Sequence, residues 1–465
     1  SQGQGHWSTI DARADVANVR QLKSWNRQQR TDWQASVQAY AAGDKLYLRQ
    51  EFTAARGEFE KTLALRSKLL PETHPDVARC HWQIGSCLTW EGKFAEAESR
   101  LNSAAAHLTK ALGEFHPDSA LCLSSLAFCL QRAGKLAAAV DAYERQLRVR
   151  REIDGPAHLH TGMAELSLAY AYESGSRFDL AEPHLRRALQ IYEVVHGNQS
   201  AEVAERHRHL GNILDELNKF AEAETHYLKA LAIARQVDGE NGPRAIGALR
   251  DLAGHYRWVF DFSKAVDTCQ AVLALQQTVT PLVPLDLARS QTDLGEALIS
   301  AKRYVSARPH LEAALQIRRN ELGETHPDTG RVATLLGNTL HRSGQYEPAQ
   351  DSYSIALKAE LPDSTSGLRW RVSLLHDSAT NLDSLGRRAN AEQTLRQAVE
   401  FSHAKLGEGN ADTLFSNQLL LESLRQQRKH DEAERLTNQI KEQLLGASTL
   451  DDLTRASACG TLSLS

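Results

Sequence analysis

The residues with the types to do chemistry are the histidines, cysteines and carboxylates, and one phrase joining an imidazole to a carboxylate occurs three times. "ETHPDVA" begins at Glu72, "EFHPDSA" at Glu114 and "ETHPDTG" at Glu324. Their aspartates, Asp76, Asp118 and Asp328, lie 42 and 210 residues apart, both multiples of 42. A catalytic tripeptide has no reason to recur in phase with a repeat, whereas a helix-start signal does. Proline near the first helical position loses nothing by lacking an N–H, and the aspartate beside it faces the positive end of the helix dipole. The phrase is therefore expected to open helices.

The other clusters are weighed the same way. Cys80 and Cys87 recur 42 residues on as Cys122 and Cys129. Seven residues along a helix span about 10 Å, beyond a disulfide or a shared zinc ion, so buried apolar thiols are expected. Cys269 and Cys459 have no evident partner. "HLH" at His158 to His160 and "RHRH" at Arg206 to His209 are the densest histidine runs. Side chains two apart on a helix diverge, so no metal site is expected from either. There is no phosphate-binding glycine loop, no His-Glu-x-x-His and no nucleophile elbow. No catalytic residue and no cofactor is assigned.

Composition limits the classes further. Lys plus Arg number 54 against 58 Asp plus Glu, a formal net charge of -4, which advertises neither nucleic acid nor an anionic membrane. No apolar run is long enough to span a bilayer. The first residue is serine and the single methionine is Met163, so removal of an upstream segment is expected; the opening residues lack the basic start and apolar stretch of a signal peptide. The cysteines suggest no disulfide framework and leave the compartment open, with a cytoplasmic location slightly favoured.

The elements that must position these residues follow from the period. Counting by 42 from Ala55 gives Ala97, Ala139, Ala181, Ala223, Ala265, Ala307, Ala349, Ala391 and Ala433. A second small register, twelve residues earlier, holds Gly43, Gly85, Ala127, Ala169, Gly211, Ala253, Gly295, Gly337 and Ala379, and is broken by Leu421. Two small registers imply two helices in close contact, where a larger side chain would overpack the interface. Apolar spacing predicts a first helix over about Val77 to Glu91 and a second over about Ala95 to Leu112. Gly113, Gly155, Gly197, Gly239, Gly323 and Gly407 are the expected left-handed C-caps.

These registers, with large apolar residues at Leu101, Tyr143, Leu185, Tyr227, Leu311 and Tyr353, resemble the tetratricopeptide repeat. The 42-residue length and the "LGETHPDT" connector resemble the variety found in kinesin light chains and many bacterial proteins. The resemblance implies an all-α, right-handed superhelical solenoid of antiparallel helix hairpins. We expect a helical lead-in over 1–34, a first atypical hairpin over 35–70, nine 42-residue units over 71–445 and a polar tail over 446–465. "HWSTIDARADVANVR" resembles the lead-in of bacterial members that carry these repeats beside a Ser/Thr kinase or another effector domain.

In the family the first helix of each hairpin lines a groove. The matching positions here are Trp82, Ser86, Ser124, Phe128, Arg208, Asn212, Asp215, Arg250, Arg257, Arg289, Glu296, Arg331, Asn338 and His341. Among them Trp82, Ser124, Phe128, Arg208, Asn212, Arg250, Arg257, Arg289, Arg331 and Asn338 are the expected partner-binding residues. Arg208, Arg250, Arg289 and Arg331 suggest an arginine ladder for an acidic ligand, set against neutralisation by Asp215, Asp251, Asp293 and Glu296. Arg208 with Asn212 has the spacing of a carboxylate clamp, although Asp251 departs from it in the next unit. The double asparagine of kinesin light chains is not matched, since only Asn212 and Asn338 stand nearby. The expectation is a non-catalytic, mainly monomeric protein-interaction scaffold binding a protein or peptide. The alternative is the regulatory or sensing part of a larger enzyme, such as a kinase or caspase-like peptidase.

Overall fold

The structure, a computed structural model, describes residues 7–8, 20, 23–278, 283–360 and 364–446. Twenty α-helices and no strand occur among the described residues. The helices divide into two compact units, Ser1–Asp251 and Leu252–Ser465. The first unit holds α1 (Arg27–Leu48), α2 (Phe52–Arg66), α3 (Pro75–Trp90), α4 (Phe94–Leu112), α5 (Pro117–Arg132), α6 (Leu136–Asp154), α7 (Leu159–Ser174), α8 (Phe178–His196), α9 (Ala201–Glu216) and α10 (Phe220–Asp238). The division between units falls within α11 (Pro243–Trp258). The second unit continues with α12 (Phe262–Thr278), α13 (Pro284–Ser300), α14 (Tyr304–Leu322), α15 (Pro327–Arg342), α16 (Tyr346–Ala356), α17 (Thr365–Ser384), α18 (Arg388–Leu406), α19 (Ala411–Gln426) and α20 (His430–Gly446). The expected first and second helices are thus α3 and α4, shifted by one or two residues. The expected boundary at 34/35 falls inside α1, and the expected tail after Gly446 lies outside the described residues, as does Cys459.

Nine of the ten hairpins close on two small registers, and the last has Leu421 in one of them. All ten register alanines are buried, from Ala55 to Ala433. Five glycines sit where a Cβ would strike the large residue sixteen positions on. The gap is 2.7 Å at Gly43 (Phe59), Gly85 (Leu101) and Gly211 (Tyr227), and 2.6 Å at Gly295 (Leu311) and Gly337 (Tyr353). These approaches place the second helix against the first and leave no room for a larger residue. Within each unit, first helices of successive hairpins also touch, as α3 does α5 and α15 does α17. Trp25 of the lead-in packs with Leu70, Val77 and Trp33 in a small core of its own.

The helix ends explain the recurrent phrase. His74, His116 and His326 are N-caps, each accepting the N–H of Asp76, Asp118 or Asp328 on its Nδ1 at 3.1 to 3.2 Å, with proline following inside the first turn. The six expected glycine C-caps all have φ between 80° and 93°, but with ψ between 156° and 173° they are extended at positive φ and not in the left-handed helical conformation expected. The turn inside each hairpin repeats as well. Gln50, Gly92, Gly134, Ser176, Asn218, Phe260, Lys302, Gly344, Gly386 and Arg428 stand 42 apart, and all have positive φ. The five described cysteines form no disulfide and are buried, with burial pushing Cys80 up to about 11 and Cys87 and Cys122 up to about 12. Thiols held protonated in this way are packing groups, as expected.

Candidate functional site

On a first helix, residues at i, i+4, i+7 and i+11 share one face. In α3 these are Arg79, Gln83, Ser86 and Trp90; in α5, Leu121, Ser125, Phe128 and Arg132; in α7, Met163, Ser167, Tyr170 and Ser174. Four large apolar side chains are left open on this face, with relative exposures of 44% for Trp90, 43% for Leu121, 50% for Met163 and 42% for Tyr170. Trp90 stacks on Phe52 at 5.2 Å and lies 5.2 Å from Phe128, and the Arg132 guanidinium covers both Trp90 and Phe128 at 5.7 and 5.9 Å. Beside them Phe128, Gln131, Tyr143, Ser167, Tyr170, Glu173 and Ser174 line a cleft of about 660 Å³. Gln131 Nε2 donates to Ser174 Oγ at 2.7 Å, and the Tyr170 ring stacks on His209, whose Nε2 is 2.8 Å from Glu173.

Phe128 lies on this face, beside Trp90 and in the lining of the cleft. Trp82 is not open in the same way: its indole N–H donates to Ser125 Oγ at 2.8 Å and its ring packs against the core, so it braces α3 on α5. Ser124 is half-buried beside it. Trp90 and Tyr170 were missed. Counting the i, i+4, i+7, i+11 face from Arg79 rather than from Trp82 is the signal that finds them.

The arginines do not form one ladder. Arg208 and Arg250 are 42 residues apart, as are Arg289 and Arg331, but Arg250 and Arg289 are 39 apart and occupy different registers. In the first unit Arg208 is engaged by Asp251 at 2.5 Å and Glu205 at 2.9 Å, and Arg250 is half-buried. In the second unit Arg257 is paired with Glu296 at 2.7 Å. Neutralisation is thus the finding for Arg208 and Arg257. Arg289 is exposed and has no ion-pair partner among the described residues; Arg331 is 71% exposed and only 4.0 Å from Asp328.

Asn212 and Asn338 both serve their own hairpins. Tyr227 Oη is 2.8 Å from Asn212 Oδ1 and 2.9 Å from Asp215 Oδ2. One hydroxyl proton cannot serve both, so the Asn212 amide is better turned to donate to Tyr227 while Tyr227 donates to Asp215. Burial, then the Asp215 charge, pushes the Tyr227 phenol far up. Tyr353 Oη donates to Asn338 Oδ1 at 2.6 Å, and the position equivalent to Asp215 holds His341.

A polar layer between the helices of a hairpin was also missed. Glu165 meets His184 at 2.6 Å, His207 meets His226 at 2.8 Å and Gln291 meets His310 at 2.7 Å, each pair nineteen residues apart. Burial alone would raise Glu165, but His184 and Arg151 hold it below the ordinary carboxylate range. Burial lowers His207 and His226 to about 4. His184, His226 and His310 stand in one 42-residue register, which the sequence displays.

The expectation that "HLH" diverges fails. His158 is the N-cap and not a helical residue, so its ring meets His160 with centroids 4.8 Å apart.

No helix among the described residues is long and apolar enough to cross a membrane. None of the curated proteins matches the chain. Among solved structures, BtubC (BKLC) from P. vanneervenii is 25% identical, with TM-score 0.42, over 50% of this chain and 92% of its own. The kinesin light chain nearly identical TPR-like repeats of Podosopora anserina are 19% identical, with TM-score 0.42, over 45% and 99%. Aspartyl phosphate phosphatase F from Bacillus subtilis is 11% identical, with TM-score 0.45, over 82% and 98%. The family model that matches is the tetratricopeptide repeat, over residues 80–152, 119–193, 160–236 and 286–359. With its 42-residue period, paired small registers and hairpins, the chain belongs to the tetratricopeptide-repeat family.

Proposed function

We propose that the chain is a non-catalytic protein-interaction scaffold that holds a protein or peptide on the exposed faces of its first helices. The observation that carries this is the apolar face of α3, α5 and α7. Trp90, Leu121, Met163 and Tyr170 stay open to solvent on helices whose remaining large apolar residues are mostly buried. Exposed apolar side chains gathered on one helix face, as Trp90, Phe128 and Tyr170 are around the cleft, mark interaction sites. Aromatic anchors beside a guanidinium also have the composition of interface hot spots. In the second unit, Arg289 and Arg331 are the cations open to an acidic side chain or a terminal carboxylate.

The test is affinity capture from native lysate with quantitative mass spectrometry, comparing wild type with Trp90→Ala/Tyr170→Ala and with Arg289→Glu/Arg331→Glu at matched helicity. Loss of the same partners with the aromatic pair is the expected result, and loss with the arginine pair adds an acidic segment to the ligand. Partners indifferent to both variants would overturn the reading.

A further inference from the structure

We propose that the connector between α6 and α7 is a binding site for one first-row divalent cation such as Zn²⁺, held by Asp154, His158 and His160. The ligating atoms of these three side chains all lie within 4.8 Å of one another. Both histidines are exposed and Asp154 is half-buried. His158 Nδ1 accepts the His160 N–H at 3.2 Å, which fixes the ring and leaves Nε2 for a metal. His160 Nδ1 is 3.5 Å from Asp154 Oδ2, and Arg150 reaches that same oxygen at 3.2 Å. Arg150 is buried, and it orients the carboxylate as groups behind a metal ligand do. Two imidazoles and one carboxylate suit a zinc-type ion with an open position for water. Bond lengths of about 2.0–2.2 Å require the three groups to close by roughly 1 Å, within the rotamer freedom of exposed rings.

The repeat supplies the independent reason to single out this connector. Where it has Asp154, four sister connectors have leucine (Leu70, Leu112, Leu322 and Leu406), while two others have His196 and Asp238. Where it has His160, five sisters have aspartate (Asp76, Asp118, Asp286, Asp328 and Asp412), and Asp238 is followed instead by Arg244, which pairs with it at 2.8 Å. Leu70 and Leu112 are buried, so aspartate in that register gives up core packing. An aspartate in the first helical turn is favoured by the dipole, and an imidazole gives up that gain. Of the two connectors with aspartate in the first register, this one alone follows it with imidazoles at both later positions, His158 and His160. Local rules broken together mark functional sites. The cation would sit where the carbonyl end of α6 offsets the amide end of α7.

The test is titration of the untagged full-length chain, kept reduced, with Zn²⁺ against a chromogenic chelator, and with Co²⁺ followed by visible absorption. His160→Ala removes a ligand without touching the cap. His158→Ser keeps a capping hydroxyl, as Ser200 provides for α9. Wild type is expected to bind one equivalent, with affinity falling about tenfold or more in each variant and helicity unchanged. Equal Zn²⁺ binding by wild type and His160→Ala, or no stoichiometric binding by wild type, would overturn the proposal. Neither result bears on the first-helix faces.

Discussion

The first helices of the two units share a packing plan and differ in what they show to solvent. Gly211 under Tyr227 in the first unit and Gly337 under Tyr353 in the second are the same contact, down to the asparagine beside each phenol. Yet the face of α3, α5 and α7 carries Trp90, Phe128 and Tyr170, while that of α13 and α15 carries Arg289, Glu296 and Arg331. Buried registers and face registers are therefore separable: the hairpin is fixed by a few close approaches, and the face is free to change repeat by repeat.

The largest effect that tests this is filling the shared contact. Gly211→Val and Gly337→Val should each cost about 3 kcal/mol in urea unfolding, at the upper end for overpacking. A near-neutral result in one unit alone would break the equivalence.

Acid sharpens the comparison next. His207 and His226 have folded pKa values near 4, below the ordinary 6.5, so the unfolded chain takes up more protons between those values. Their contribution is present above about pH 6.5 and is lost as pH falls toward 4. In the second unit burial lowers His376 to about 4 as well, without a facing imidazole. We expect Tm to fall by about 5 °C between pH 7 and 5, and His226→Gln to flatten that slope. An unchanged slope would remove the imidazole pair from the account.

The smallest effect concerns the inner turn. Phe260, 77% exposed at φ 62°, occupies a position that four sister hairpins fill with glycine. A bulky residue there is strained, so Phe260→Gly should stabilise the second unit by about 1 kcal/mol, read as a raised urea midpoint. Destabilisation would mean that the Phe260 contact with Phe262 outweighs the strain.

The fold was legible because its determinants are sequence-local and repeated. Small residues at Ala97 and Gly85 and C-caps such as Gly113 announce themselves by period alone. The face was only partly legible. Phe128 is found by register, but Trp82 and Trp90 lie eight residues apart on one helix, and deciding which is braced and which is open depends on Ser125 in the next hairpin. Arg208 and Arg289 look alike in sequence; the carboxylate that neutralises one and not the other lies a repeat away in Asp251. The His158 and His160 pairing was missed because the rule for helical side chains does not apply across a cap.

The ten left-handed inner turns have a consequence for how such a chain changes length. Every hairpin turns at the same residue of its period, and the histidine caps recur in phase with it. Unequal recombination between two copies of the gene, joining one turn to its counterpart, adds or deletes a whole hairpin without breaking a cap or shifting a register. Arrays of different length are then single-step neighbours in evolution, and an exposed face is lengthened by duplication before its side chains are edited.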